Sequence, residues 1–226
     1  MRFRTFAAAV AILASLAGPG LADCGSSPGA GIDWTDCQKQ KLMLGGTDFG
    51  TSTFNSSNLS GTDFSGSTMA GSSFVRAELG RASFRNANLK GARFEKASGG
   101  RTVFDGANLE GADLAKSEFA RATFKGANLA GADLSKGDFT RVNFEAANLS
   151  NVKFTLANIA RVTLKGANLQ GTDFSNAYTY RTDFSGADLS AAKGLSQVQI
   201  EAACGNADTR LPAGLTMPND WNCADD

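Results

Sequence analysis

The chain of 226 residues contains no histidine. That removes the side chain best suited to proton transfer near neutral pH and the commonest metal ligand. Proline (4), tryptophan (2) and tyrosine (2) are scarce, and Lys+Arg and Asp+Glu balance at 22 each, so no charge excess marks a nucleic-acid footprint or an acidic mimic. Cysteine is missing from the whole interior between Cys37 and Cys204, and its four copies are not at close metal-ligand spacing. The longest apolar run, Phe6 to Ala17, is twelve residues, against roughly 20 for a membrane-spanning helix. No phosphate-cradling glycine loop and no local nucleophile motif occurs. No catalytic residue, metal ligand or cofactor site is expected from these residues.

What is present begins with a leader. Residues 1–22, "MRFRTFAAAVAILASLAGPGLA", carry Arg2 and Arg4, an apolar run and a small-residue end at Ala22, the three regions of a secretory signal peptide. Removing it leaves 20 basic and 22 acidic residues, a formal charge of −2. Asp23 before Cys24 lacks the small residue that a lipid-modified cysteine normally follows, so a soluble periplasmic or secreted protein is expected, with a lipid-anchored one as the alternative. In such a compartment Cys24, Cys37, Cys204 and Cys223 are read as disulfide-bonded. Three pairings are possible, and Cys24–Cys37 with Cys204–Cys223 is favoured because the region between would hold the two ends apart.

That region has a period of five. Of the 30 positions ending in 4 or 9 from Leu44 to Leu189, 14 are Phe, 12 Leu, one Ile and one Met; Gly99 and Thr179 depart. Two residues before nearly every one stands a small residue, such as Ala87, Ala127 or Ala167. Neither a helical period of 3.6 nor a strand period of two gives this pattern. A coil of four flat faces, one pentapeptide to a face, would point the large and small residues inward and stack neighbouring coils at about 4.8 Å.

The units "ANLKG" at 87–91, "ADLSK" at 132–136 and "ADLSA" at 187–191 resemble those of the pentapeptide-repeat family, A(D/N)LXX. The resemblance implies an all-β solenoid, a right-handed quadrilateral β-helix of about 7.5 coils for these 30 units. The expected organisation is a signal peptide at 1–22, a disulfide-linked N-terminal cap at 23–43, repeats at 44–191 and a C-terminal cap at 192–226. In the latter, Ser196 and Gln199 form a capping-box signal, Leu195 and Ile200 a staple, and Gly205 a stop for a helix over 197–204. The following "LPAGL" is similar to the cap of some exported bacterial members, and capping at both ends favours a monomer.

Read at period 20, Leu89 to Leu189 and Phe64 to Phe184 form inward columns, and Asn88, Asn108, Asn128, Asn148 and Asn168 an amide ladder. Gly99 marks a dent or bulge. Outside, Arg81, Arg101, Arg121, Arg141, Arg161 and Arg181 form a stripe, with Arg76, Lys96, Lys116 and Lys136 at the preceding corner. Such a stripe suits phosphates, acidic or sulfated glycans or lipid head groups. The bland alternative is a solvated face neutralised by Glu78, Glu118 and Asp138. Tyr178 and Tyr180 can stack on a sugar, pack on a partner or cover the last coil near Trp221. Asp113, Asp133 and Asp173 occupy an ordinary polar slot with no pocket around them.

The expected function is a non-enzymatic structural or binding scaffold with a protein or an anionic cell-envelope polysaccharide as partner, and no nucleic acid. Two alternatives stand beside it. Some members of the family mimic duplex DNA and bind type II topoisomerase, which the near-neutral charge and signal peptide oppose here; a carbohydrate-binding or carbohydrate-active protein is the other.

Overall fold

The computed structural model describes residues 22–223. The expected signal peptide therefore lies outside the described residues except for Ala22. From Asp33 onward the chain comes back into register with itself every 20 residues: Asp33 bridges Thr53, Thr53 bridges Ser73, and the ladder continues in parallel through Asp173 and Lys193. The first bridge falls inside the segment assigned to the N-terminal cap. Trp34, fully buried, takes the inward place that Phe54 and Phe74 hold in the next two 20-residue circuits.

The expectation of an all-β quadrilateral β-helix is corrected by this backbone. Among the described residues no strand, sheet or barrel is defined; pairing consists of isolated bridges one residue long, separated by turns, and the chain is mostly loop. The reason lies in the five-residue interval. Each segment contributes one extended residue, such as Asn108, whose N–H donates to Ala87 O (2.9 Å) and whose carbonyl accepts from Leu89 N (2.7 Å). Three residues later the corner residue has a positive φ, 65° at Gly111. That conformation cannot continue a strand, so two adjacent bridged pairs never form.

The core runs along the inside of these circuits. Phe64, Phe84, Phe104, Phe124 and Phe144 are fully buried and stack at centroid distances of 5.1, 5.1, 4.6 and 5.1 Å. A second column, Phe54, Phe74 and Phe94, stacks at 4.7 and 4.8 Å and meets the first edge-on, for example Phe74 against Phe84 at 5.5 Å and 86°. These offset and edge-to-face arrangements suit the aromatic quadrupole. Small residues complete the filling, and where they are Ser or Thr their hydroxyls are satisfied: Thr102 Oγ1 donates to Leu79 O (2.8 Å) and Gly99 O (2.7 Å). No buried side-chain polar atom lacks a partner among the described residues.

Gly99 leaves no dent. A Cβ there would collide with the Phe119 ring, so the neighbouring circuit's aromatic occupies the space that a large residue would have filled. The asparagine column is a true ladder: Asn128, Asn148 and Asn168 each donate Nδ2 to Oδ1 of the asparagine one circuit earlier, at 3.3, 2.9 and 3.0 Å. The same oxygens accept the N–H two residues on, as Asn148 does from Ser150 at 3.2 Å. The amides are thereby used in holding turns.

Both ends are covered. Cys24 is bonded to Cys37 and Cys204 to Cys223. At the first end Trp34 Nε1 donates to Ser26 Oγ (2.9 Å), and Lys39 Nζ lies 4.3 Å over the indole. At the other, α1, Gln197–Ala202, the one helix among the described residues, starts at Ser196 with its capping box to Gln199. It ends before Gly205, at an extended Ala203; Gly205 is instead where the Trp221 ring lies, its carbons 2.5–2.8 Å from an added Cβ. The tail then finishes the ladder, with Phe184 N donating to Cys204 O (2.9 Å) and Leu189 N to Arg210 O (2.8 Å).

Candidate functional site

The arginines occupy a demanding position. The residue two after the inward one generally turns the corner with positive φ; after the Phe64–Phe184 column this residue is Gly66, Gly106, Gly126, Gly166 or Gly186, with φ of 62–69°, and in the other two circuits Asn86 or Ala146, both at 56°. After the Leu79–Phe139 column it is Arg81, Arg101, Arg121 or Arg141, with φ of 59–61°. Left-handed backbone costs an L-residue about 1–2 kcal/mol relative to its right-handed form. Glycine is free of that penalty. The arginine N–H groups do the same work as those of the glycines: Arg101 donates to Ala120 O (3.1 Å) and Arg121 to Thr140 O (2.8 Å).

Elsewhere on the surface, charges pair one circuit apart. Arg85 meets Asp105 (3.7 Å), Lys90 meets Glu110 (3.0 Å) and Lys125 meets Glu145 (2.8 Å). The Lys125 ammonium holds the Glu145 carboxyl below its usual range, and Lys116, hydrogen-bonded at 3.0 Å, does the same to Glu95. The arginine edge behaves differently. Among the described residues Arg81, Arg101, Arg121 and Arg141 make no ion pair and no side-chain hydrogen bond, while Arg161 and Arg181 do have partners. Of the three acids expected to neutralise the edge, two are turned to other tasks: Glu78 Oε2 accepts from Asn58 Nδ2 (2.7 Å), and Asp138 Oδ1 accepts from Thr140 N and Oγ1 (2.9 and 2.6 Å); Glu118 makes no ion pair with it.

The edge also borders a depression. A shallow groove of about 590 Å³ is lined by Arg81, Arg101, Arg121 and Arg141 over Gly100, Ala120 and Thr140, with Asp138 as its one carboxylate. A second, of about 620 Å³, continues past Arg141, Arg161 and Arg181 to Asp183, Asn222 and the Cys204–Cys223 bond. The six arginines are thus brought together by the two depressions. Arg76, Lys96, Lys116 and Lys136 stand at the corner before, exposed; Lys96 and Lys116 are both drawn to Glu95, at 3.8 and 3.0 Å. Tyr178 and Tyr180 lie exposed beside each other, rings near parallel at 6.2 Å, while Thr179 between them is buried and donates to Gln199 O (2.8 Å). The floor of small residues was not foreseen, although Gly80, Gly100, Ala120 and Ala160 stand immediately before the arginines in the sequence.

Asp183, Cys204 and Cys223 form the metal-like grouping among the described residues. Both sulfurs are tied in one disulfide and offer no thiolate. Asp113, Asp133 and Asp173 line neither depression; serine hydroxyl and backbone donors at Ser175 hold the Asp173 carboxyl below its usual range, the opposite of what a general acid needs.

Two repeat signatures match the chain: pentapeptide repeats (9 copies) over residues 54–98 and a pentapeptide repeat region over 117–194, together more than half of it. The chain belongs to the pentapeptide-repeat family. Members of this family are characteristically non-catalytic scaffolds, and its association is with protein-binding repeat proteins. Among solved structures, HetL, a pentapeptide repeat protein involved in heterocyst differentiation regulation from Nostoc sp. strain PCC 7120, is 23% identical; the alignment covers 85% of this chain and 93% of HetL, with a TM-score of 0.38. QnrB1, a plasmid-mediated fluoroquinolone resistance protein, is 24% identical over 79% of this chain and 89% of its own, with a TM-score of 0.44. A pentapeptide repeat protein of the Arabidopsis thaliana thylakoid lumen is 24% identical over 62% and 69%, with a TM-score of 0.15. No curated protein matches the chain significantly in sequence. Among the described residues no helix is long and apolar enough to cross a membrane.

Proposed function

We propose that this pentapeptide-repeat protein is an exported, periplasmic or secreted, non-catalytic scaffold that holds an anionic partner, a protein or a cell-envelope component, against its arginine edge. The observation that carries the reading is the set of four arginines placed where the backbone favours glycine and without carboxylate partners among the described residues. A row of like charges one circuit apart repels itself, and an external anion relieves that repulsion. The test is anisotropy titration of labelled poly-glutamate, polyphosphate and polyuronate at fixed ionic strength, against the protein and its Arg101→Glu, Arg121→Glu, Arg141→Glu variant. Binding of at least one polyanion by the protein, lost in a variant with an unchanged circular-dichroism spectrum, is the expected result. Equal binding by both, or none by either, overturns it.

A DNA-mimicking, topoisomerase-binding role is the second reading. Asp113 and Asp133 bridge one another on consecutive circuits, placing two carboxylates one above the other as a phosphate mimic requires. The pair is short: the circuit before carries Arg93 and the circuit after carries Lys153, which lies 4.0 Å from Asp133. Inhibition of purified DNA gyrase supercoiling, abolished by Asp113→Asn with Asp133→Asn, would bring this reading forward.

A further inference from the structure

The arginine-edged groove has a floor, a repeat distance and an aromatic end, and together these narrow the partner. The following rests on the scaffold reading above. The floor is low. At the position just after the inward residue, the face that follows carries Arg85, Asp105, Lys125 and Glu145, which pair one circuit apart and stand proud of the backbone, and the face that precedes carries Glu95 beside the small Ala115, Ser135 and Thr155. On the arginine-edged face that position holds Gly80, Gly100, Ala120, Thr140 and Ala160. A flat ring can therefore lie close to the backbone there. The charges recur once per bridged circuit, about 4.8 Å apart by ordinary bridge spacing. That is near the advance of one pyranose ring along an extended 1,4-linked chain, whose successive rings are turned over, so that its same-side carboxylates recur every second ring and come into step with every second circuit. An extended acidic peptide instead repeats its same-side carboxylates at about 6.8 Å, two residues of strand rise, and falls out of step within a few charges. At the C-terminal end of the same face the paired Tyr178 and Tyr180 rings are 58% and 44% exposed, and such rings stack on the apolar faces of sugars.

We infer that this face binds an extended acidic polysaccharide of the polyuronate type, one ring per circuit. Its same-side carboxylates meet alternate members of the set Arg81, Arg101, Arg121 and Arg141, its rings lie over the small-residue floor, and a terminal sugar packs on the tyrosine pair. Binding is non-covalent and leaves the polymer intact.

The test uses the purified protein with polyuronate oligomers of two to eight sugars, their methyl esters, poly-glutamate and polyphosphate at matched charge and ionic strength, and single-stranded DNA. Affinity is expected to rise with length to about four to six sugars and then level, since each added ion pair contributes until the arginines are used. The methyl esters should bind at least about 100-fold more weakly and poly-glutamate about tenfold more weakly, the scale of several lost charge-assisted contacts and of register mismatch. Tyr178→Ala with Tyr180→Ala should cost about three- to tenfold with an unchanged salt slope. Arg101→Gly with Arg121→Gly, which suits the corner backbone, should flatten the slope instead. Equal affinity for all polyanions overturns the polysaccharide inference and leaves the scaffold reading standing. Preference for single-stranded DNA overturns it in favour of a nucleic acid. No binding to any polyanion overturns both.

Discussion

Two edges of this molecule share one backbone and differ in residue. Along one, Gly66, Gly106, Gly126, Gly166 and Gly186 turn the corner, with Asn86 and Ala146 in two further circuits; along the next, reached five residues earlier in each circuit, Arg81, Arg101, Arg121 and Arg141 turn the same corner at nearly the same φ. Corner N–H groups on both donate to the next circuit, Gly126 to Glu145 O at 2.9 Å and Arg121 to Thr140 O at 2.8 Å. The corner therefore does not require arginine, and by conformational energy alone glycine is the better residue. Arg85, Lys90 and Lys125 find acids one circuit away, whereas the four arginines, like Arg76 and Lys136, make no ion pair among the described residues, so they are not part of a salt-bridge ladder. On the proposed reading, the side chain has a use beyond the chain's own stability.

The comparison presumes that both edges hang on one core, and the largest effect tests that. Phe104 stacks between Phe84 and Phe124 and meets Phe94 and Phe119 edge-on at 5.7 and 5.4 Å. Phe104→Ala should cost about 3–5 kcal/mol, because the stacked neighbours cannot close the cavity. Denaturant unfolding followed by tryptophan fluorescence measures it, and polyanion binding should be lost along the same transition. A cost below about 1 kcal/mol would mean the column can collapse, contrary to close packing.

Exchanging residues between the edges comes next in size. Gly126 has open space where a Cβ would stand, so Gly126→Arg isolates the backbone penalty. It should destabilise by about 1–2 kcal/mol. The reciprocal Arg121→Gly should hold stability or raise it by up to about 1 kcal/mol, the left-handed penalty less the entropy of freeing a glycine in the unfolded chain. The same variant should weaken polyanion binding. If Arg121→Gly destabilises by more than about 1 kcal/mol, the arginine stem is packing on its neighbours, and the functional reading of the edge loses its main support.

How far the sequence could be read differs between these features. The interval of five located nearly all inward residues, since only a chain that returns to register can place Phe at 84, 104 and 124 in one buried column. The same regularity suggested strands that do not form, because φ at the corner is a local backbone property that composition does not display. Gly99 was legible as an exception but not as the place filled by the Phe119 ring. The arginine stripe was legible residue by residue. Its lack of carboxylate partners was not, because Glu78 and Asp138 had two choices each: Asp138 took its own turn, at Thr140, and Glu78 took Asn58. Helix α1 stops short for a similar reason: Gly205 lies against Trp221, a contact 16 residues away in sequence.

The smallest effect separates the edges by pH. Hydrogen bonding to Lys125 lowers the Glu145 pKa from its ordinary 4.5, and that to Lys116 lowers the Glu95 pKa in the same way. A carboxylate with a depressed folded-state pKa contributes stability that is present above its unfolded value and disappears as pH falls through the folded one. The melting temperature should therefore slip as pH falls below about 4.5, slightly, because both pairs are exposed, and 1 M salt should shrink the slip. Glu145→Gln should remove part of that slope, and Arg121→Gly should leave it unchanged. An altered slope in the Arg121→Gly protein would mean that a carboxylate such as Asp138 pairs with that edge after all, and the contrast between a self-neutralised surface and an edge awaiting its counter-charge would fail at its foundation.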